Sequence, residues 1–178
     1  MRIVGGTCKG RKFPVPKGFT SRPTTDMARE SLMNVLANEY DFSTLEILDL
    51  FSGTGAVGYE FASRGAKKII AVEKNNATYR NILLQVENFG FSNFQVLKKD
   101  VFSFLKGPVN SADVIFADPP FNLPGIQTLP DFIFENGWIR QGGCLVLEHS
   151  RDFSFIDNKH FSKLKTYGAV NFSFFFVD

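Results

Sequence analysis

The sequence predicts an α/β fold, a Rossmann-like, mostly parallel sheet covered by helices and completed by one antiparallel strand. Three observations predict it. Strand-like and helix-like segments alternate from residue 45 to residue 148, a glycine-rich turn joins the first of these strands to its helix, and the chain closes with two strand-like runs two residues apart. Alternation implies parallel neighbours with helices on both faces. A two-residue connection reads as a hairpin, which turns one strand against the rest. At 178 residues and 44% hydrophobic content, with mean hydropathy of -0.05, the composition suits one domain with a sizeable core. It is too apolar for disorder, and no apolar run reaches the ~18 residues that span a bilayer.

Residues 2–17 mix short apolar pieces with Gly-Gly, Lys-Gly-Arg-Lys and two prolines, which suits a short hairpin or extended arm. From Thr25 to Glu39, Ala28, Leu32, Val35 and Leu36 recur at helical spacing, with Thr25 or Asp26 available as the cap. Strands follow at 45–50 (LEILDL), 68–73 (KIIAVE), 93–98 (NFQVLK), 113–118 (DVIFAD) and 143–148 (GCLVLE), separated by helices near 55–64, 75–89, 101–106 and 126–136. The runs 161–167 and 170–177 flank Gly168 and Ala169. The 21 phenylalanines read as core filling, with Phe121 the exception argued below.

Charge is unevenly spread. Residues 1–29 hold seven bases and one acid, whereas the remaining chain holds 13 bases and 17 acids. A basic arm on a mildly acidic body is a footprint for a polyanion, because Lys and Arg contacts to phosphate dominate nucleic-acid affinity; a solvated terminus gives the same count. We therefore divide the chain into a basic arm, 1–24, and a domain, 25–178. The start, MRIVGGTCKGRK, has glycines and bases where a secretory signal carries its apolar segment, so a cytoplasmic protein is expected. Cys8 and Cys144 form no paired spacing and His149 and His160 belong to no ligand motif, so neither a disulfide framework nor a metal is expected.

In open sheets of this class ligands sit beyond the carboxyl ends of the strands. DLFSGTGAVGYE places Gly53, Gly55 and Gly58 as G-x-G-x-x-G between a strand and a helix, which lets backbone amides approach an anionic group. Glu73 ends the next strand 20 residues after Gly53 and can accept both hydroxyls of a ribose. A nicotinamide dehydrogenase shares these features, but its first strand normally runs uninterrupted into the glycines, and this one carries Asp49. An acid there suits a ligand with an amino group and a carboxylate. S-adenosylmethionine has both, together with a ribose for Glu73 and an adenine for Asp100, with Val101 and Phe102 as apolar cover; Asp100 also reads as a helix cap.

DVIFADPPFN ends the fourth strand in an acid, two prolines and a ring. An exocyclic amine is a weak nucleophile because its lone pair is delocalised into the base, so its methylation depends on orientation. Asp118 and the Pro119 carbonyl can each accept one N–H of such an amine, Pro119 and Pro120 fix that geometry, and Phe121 offers a face for a base taken out of its stack.

Taken in order, DLFSGTGAVGYE, Glu73, Asp100 and DPPF resemble the class I S-adenosylmethionine-dependent methyltransferases that modify amines. MRIVGGTCKGRKFPVP, RPTTDMARESLMNVL, GCLVLE and YGAVNFSFF resemble, more closely and over essentially the whole chain, the bacterial 16S ribosomal RNA guanine-N2 methyltransferases that act on guanine 966. The resemblance implies a seven-stranded sheet with a reversed last strand. It implies a cofactor site of Asp49, Phe51, Gly53, Gly55, Glu73, Lys74, Asp100 and Val101, although Lys74 stands where the family commonly has an acid or polar residue. It implies that Asp118, Pro119, Pro120 and Phe121 hold the guanine amine, and that Arg2, Arg11, Lys12, Arg22 and Thr24 meet 16S rRNA, naked or within the small subunit or an assembly intermediate. S-adenosyl-L-homocysteine is then the product, and a monomer without metal or membrane association is expected. DPPF is also used by amine methylases of DNA adenine and protein glutamine, and a non-catalytic RNA-binding module is the rival from another class.

Overall fold

The computed structural model describes residues 1–16, 19, 24–120 and 122–177. Helix α1 (Asp26–Ala37) is capped by Thr25, whose side chain accepts from the Ala28 amide. Strands β1 (Glu46–Leu50), β2 (Lys68–Glu73), β3 (Phe94–Lys98) and β4 (Ala112–Ala117) then alternate with α2 (Ala56–Ser63), α3 (Asn76–Phe89) and α4 (Val101–Leu105). After a short 3-10 turn at Ile126–Thr128 come α5 (Leu129–Glu135), β5 (Ile139–His149), β6 (Phe161–Tyr167) and β7 (Val170–Phe176). The sheet order is β3-β2-β1-β4-β5-β7-β6, with β7 running opposite to the other six strands. Among the described residues no helix is long and apolar enough to cross a membrane.

Each expected strand and helix is present. The expected helix over 126–136 is divided into the 3-10 turn and α5, with Pro130 in the first turn of α5. β5 starts four residues earlier than expected, because Gly142 and Gly143 continue the strand through an irregularity in the β4–β5 register instead of starting it.

Strand parity divides the core in two. Ile47, Ala71, Val96, Phe116, Val146 and Phe174 occupy one face, against α1, α2 and α3, while Leu48, Val72, Ile115, Leu147 and Phe175 occupy the other. Helix α2 is buried along its whole length.

The basic terminus is part of this core. Ile3 donates to Arg11 O and Phe13 to Met1 O, which makes residues 1–13 a small hairpin. Ile3, Cys8 and Phe13 are buried in the first cluster, and the Phe13 ring meets Tyr59 edge-on at 5.1 Å. The anchor is Arg29, fully buried on α1. Its guanidinium donates to Thr24 O at 2.6 Å, Arg2 O at 2.7 Å, Asp26 Oδ1 at 2.9 Å and Glu60 Oε1 at 3.3 Å. Glu60 also accepts the Val4 amide at 2.9 Å and pairs with Arg64. A buried pair of this kind is weak support for net stability, yet removing one partner strands the other charge and costs about 3–5 kcal/mol. Arg29→Ala is therefore expected to lower unfolding stability by about that amount in urea titration, and an unchanged midpoint would show that the hairpin does not depend on the network.

Candidate active site

The carboxyl edge of the sheet carries an acid on four neighbouring strand ends. Asp49 on β1 pairs in register with Ala71 of β2 and Phe116 of β4. Two residues beyond Ala71, Phe116 and Val146 stand Glu73, Asp118 and Glu148, so strand alternation points all four carboxylates to the face of α1 and α2. Asp49, Glu73 and Glu148 are buried, and Asp118 is partly exposed.

Asp49, Asp118 and Thr24 line one narrow cleft with Phe19, Gly53 and Val57. The glycine loop forms its floor. Phe51 adopts φ 58° without being glycine, and Gly55 follows at φ 79° as the residue before α2, with the Tyr59 ring 2.7 Å from where a Cβ would sit. Non-glycine residues held in this region cost about 1–3 kcal/mol and concentrate at ligand sites. Gly58 serves close packing: a Cβ there would lie 3.0 Å from Asp49 Oδ2 and 2.7 Å from Phe94. Glu73 closes the loop, accepting the Gly53 amide at 2.9 Å and the Asn75 amide at 2.6 Å.

Burial dominates the electrostatics. It pushes the Asp49 carboxyl up to about 7 against the pull of the Gly58 amide, and the nearby Glu73 charge adds to the rise. Asp49 Oδ2 has no hydrogen-bond partner among the described residues. Burial likewise raises Glu148 to about 7, opposed by the Thr24 hydroxyl. Asp118 is raised well above the carboxylate range by burial and then by the charges of Glu148 and Asp49.

The expected site residues fall into three groups. Asp49, Phe51, Gly53 and Asp118 meet in the cleft, Gly55 and Glu73 shape its loop, and the Asp118 amide donates to Leu50 O at 3.4 Å, tying the end of β4 to β1. Pro119 is buried and Pro120 exposed. Asp100 and Val101 sit one strand beyond Glu73. Asp100 caps α4 by accepting the Ser103 amide at 3.1 Å, Val101 is buried, and the Phe51 and Phe102 rings meet edge-on at 6.3 Å; Lys74 is exposed.

In the basic arm several of the expected RNA contacts have partners within the chain. Arg11 donates to Asn88 O at 2.7 Å and Phe89 O at 3.5 Å while stacking on Phe89, so it caps the carboxyl end of α3. Thr24 is buried and donates to Glu148 Oε2 at 2.8 Å. Arg2 pairs with Asp26 at 2.8 Å, and Lys12 is exposed. Arg22 and Phe121 lie outside the described residues. Sequence reading missed Glu148, although GCLVLE ends in an acid as LEILD, KIIAVE and DVIFAD do, and it missed Phe19 because a lone ring between basic residues has no pattern.

The family model described as Conserved hypothetical protein 95 matches residues 1–176. The Ribosomal RNA small subunit methyltransferase D of Haemophilus influenzae is 32% identical over 178 residues, covering 97% of this chain and 91% of the relative. Among solved structures, the hypothetical protein TTHA0928 of Thermus thermophilus superposes with a TM-score of 0.86 at 28% identity, over 99% of each chain. The 16S rRNA guanine-N2 methyltransferase RsmC of Thermus thermophilus, in complex with AdoMet and guanosine, shares the fold with a TM-score of 0.71 at 22% identity, over 91% of this chain and 45% of that one.

The raised acids make the ligand-free fold lose stability as pH rises from the acid range to neutrality. Asp49 holds its proton to about 7 when folded but only to about 3.9 when unfolded, so its contribution to stability is complete below the lower value and is lost as pH rises through the upper one. Glu148 acts with the same sign. Asp49→Asn is expected to flatten the fall in Tm between about pH 5 and about pH 8 by a few degrees in a thermal melt series, and an unaltered slope would move the effect elsewhere.

Proposed function

We propose a function from one premise: this chain belongs to the family described as Conserved hypothetical protein 95, whose model spans residues 1–176. We read it as an S-adenosylmethionine-dependent methyltransferase that modifies the N2 amine of a guanine in 16S ribosomal RNA. Its partner is that RNA, within the small ribosomal subunit or an assembly intermediate, and its setting is the cytoplasm. The 32% identity to the Haemophilus Ribosomal RNA small subunit methyltransferase D supports the substrate class. The observation that carries the chemistry is the pairing of β1 with β4, which sets Asp118 in one cleft with Asp49 and the glycine loop.

The cleft suits the cofactor by its donor set. An unpartnered buried carboxylate oxygen on Asp49 matches an ammonium group, and turn amides beside the start of α2 match a carboxylate. Each Glu73 oxygen accepts one loop amide and keeps a lone pair for a ribose hydroxyl. Asp100 keeps an oxygen beyond its cap for an adenine amine, with Val101, Phe51 and Phe102 as apolar walls. Lys74, next to Glu73 and exposed, is the least engaged member of the proposed set.

When bound, S-adenosylmethionine supplies an electrophilic methyl group and leaves as S-adenosyl-L-homocysteine. The chain supplies orientation. Asp118 accepts one N–H of the target amine and the Pro119 carbonyl the other, while Pro119 and Pro120 hold the two acceptors in fixed relation; alignment of this kind can supply up to about 7–11 kcal/mol of the barrier. The amine sheds a proton as its nitrogen gains the methyl carbon. Asp118, whose carboxyl is raised by burial and by Glu148, is placed to take it. Phe121 is the proposed stacking face for the base. All of these residues come from one chain, so a monomer suffices.

Lys9 and Lys12, exposed on the amino-terminal hairpin, and Arg2 beside them are the proposed phosphate contacts within residues 1–24, together with Arg22. Neutralising Lys9 and Lys12 is expected to weaken RNA binding and flatten its salt dependence by about one unit of slope for each phosphate no longer neutralised; an unchanged slope in a titration series would assign the pair to solvation. Asp118→Ala is expected to keep S-adenosylmethionine affinity within about threefold by calorimetry while methyl transfer to 16S rRNA falls by a factor on the order of 100 or more. Undiminished turnover would refute the role of Asp118.

A further inference from the structure

Thr24 and Glu148 form a pair that the chemistry above does not use. Glu148, 2% exposed, stands on β5 beside Asp118 on β4, since Ala117 pairs with Leu147 in the preceding register position. Its Oε2 receives the Thr24 hydroxyl at 2.8 Å. Thr24 lines the cleft with Asp118, and its own backbone is fixed from behind, where Arg29 donates to the Thr24 carbonyl at 2.6 Å. A hydroxyl has one proton and two lone pairs. While Glu148 is ionised it takes the hydroxyl proton, and Thr24 Oγ1 can only accept.

Among the described residues this gives the Asp118 end of the cleft two side-chain acceptors, Asp118 and Thr24. A guanine presents donors along the matching edge, two N–H on N2 and one on N1, whereas a purine lacking the N1 proton presents a lone pair there. We propose that Thr24, held as an acceptor by Glu148, reads the N1–H of the target guanine and so sets base specificity, with Glu148 as the positioning residue behind it. The inference deepens the proposed function and rests on it. An unpaired buried acceptor facing another lone pair is the kind of mismatch by which sites reject near-isosteric ligands.

The discriminating substrate is 2-aminopurine, which keeps the 2-amine and has a bare N1. In 16S rRNA ligated from fragments with guanine or 2-aminopurine at the target position, presented naked and as reconstituted subunits, the wild type is expected to favour guanine by about tenfold to a hundredfold in transfer and in affinity with S-adenosylhomocysteine present. Thr24→Val is expected to bring that ratio below about threefold while cofactor affinity stays unchanged. Thr24→Ser, which restores the hydroxyl, is expected to recover the preference. Glu148→Gln, isosteric and able to donate to Thr24, is expected to lose it. Wild-type transfer to guanine with an undiminished ratio in Thr24→Val and Glu148→Gln overturns this inference alone. Absence of wild-type transfer to guanine in either form of the RNA overturns the functional reading and the inference with it.

Discussion

Four carboxylates on adjacent strand ends, all facing one side of the sheet, are the constraint to which the rest of the molecule answers. Parallel strands in register deliver side chains of the same parity to the same height, so Glu73, Asp49, Asp118 and Glu148 follow from the β2-β1-β4-β5 order as much as from their own identities. Like charges this close and this dry cannot all ionise freely. Each is handled differently. Glu73 takes two loop amides, Glu148 takes a hydroxyl, Asp118 keeps some exposure, and Asp49 is left with an oxygen that nothing in the described chain satisfies. That last oxygen is the one the proposed reading assigns to a bound ammonium group.

The amino-terminal hairpin belongs to the same solution. Arg29 gathers Arg2 O, Asp26, Glu60 and Thr24 O around one guanidinium. The contact to Thr24 holds in place the residue that satisfies Glu148. Anchoring of the terminus and composition of the cleft are therefore one network. A segment that reads as a short basic hairpin or arm is part of the structural support of the site, with Ile3 and Phe13 in the core and Lys9 and Lys12 exposed.

The sheet was legible because its signals are local. LEILDL, KIIAVE and DVIFAD are short apolar runs bounded by acids or turns, and the glycine spacing between β1 and α2 requires no tertiary knowledge. Asp49, Glu73 and Asp118 could be placed together from strand order alone. What stayed hidden depends on long-range pairing. Arg11 counts as one more base until α3 is seen to end beside it. Thr24 pairs with a residue 124 positions away, and no spacing rule reaches that far. The early start of β5 was obscured because Gly142 and Gly143 look like a break, yet Gly143 is where the Asp113 carbonyl passes 2.5 Å from an added Cβ, a close approach inside a strand.

An acid-rich cleft also fits the proposed chemistry through its charge. A sulfonium and an ammonium together place two positive charges against Asp49 and its neighbours, and buried charges are tolerated when paired. Methyl transfer would remove one of those positive charges, and the amine's proton passing to Asp118 would remove one negative charge with it. The net charge of the cleft is therefore kept through the proposed reaction, with Asp118, raised by burial and by Glu148, as the carboxylate that changes state. On this argument the burial that raises the carboxyls of Asp49 and Glu148 to about 7 costs the empty protein stability above that pH, and bound positive charge would offset the cost.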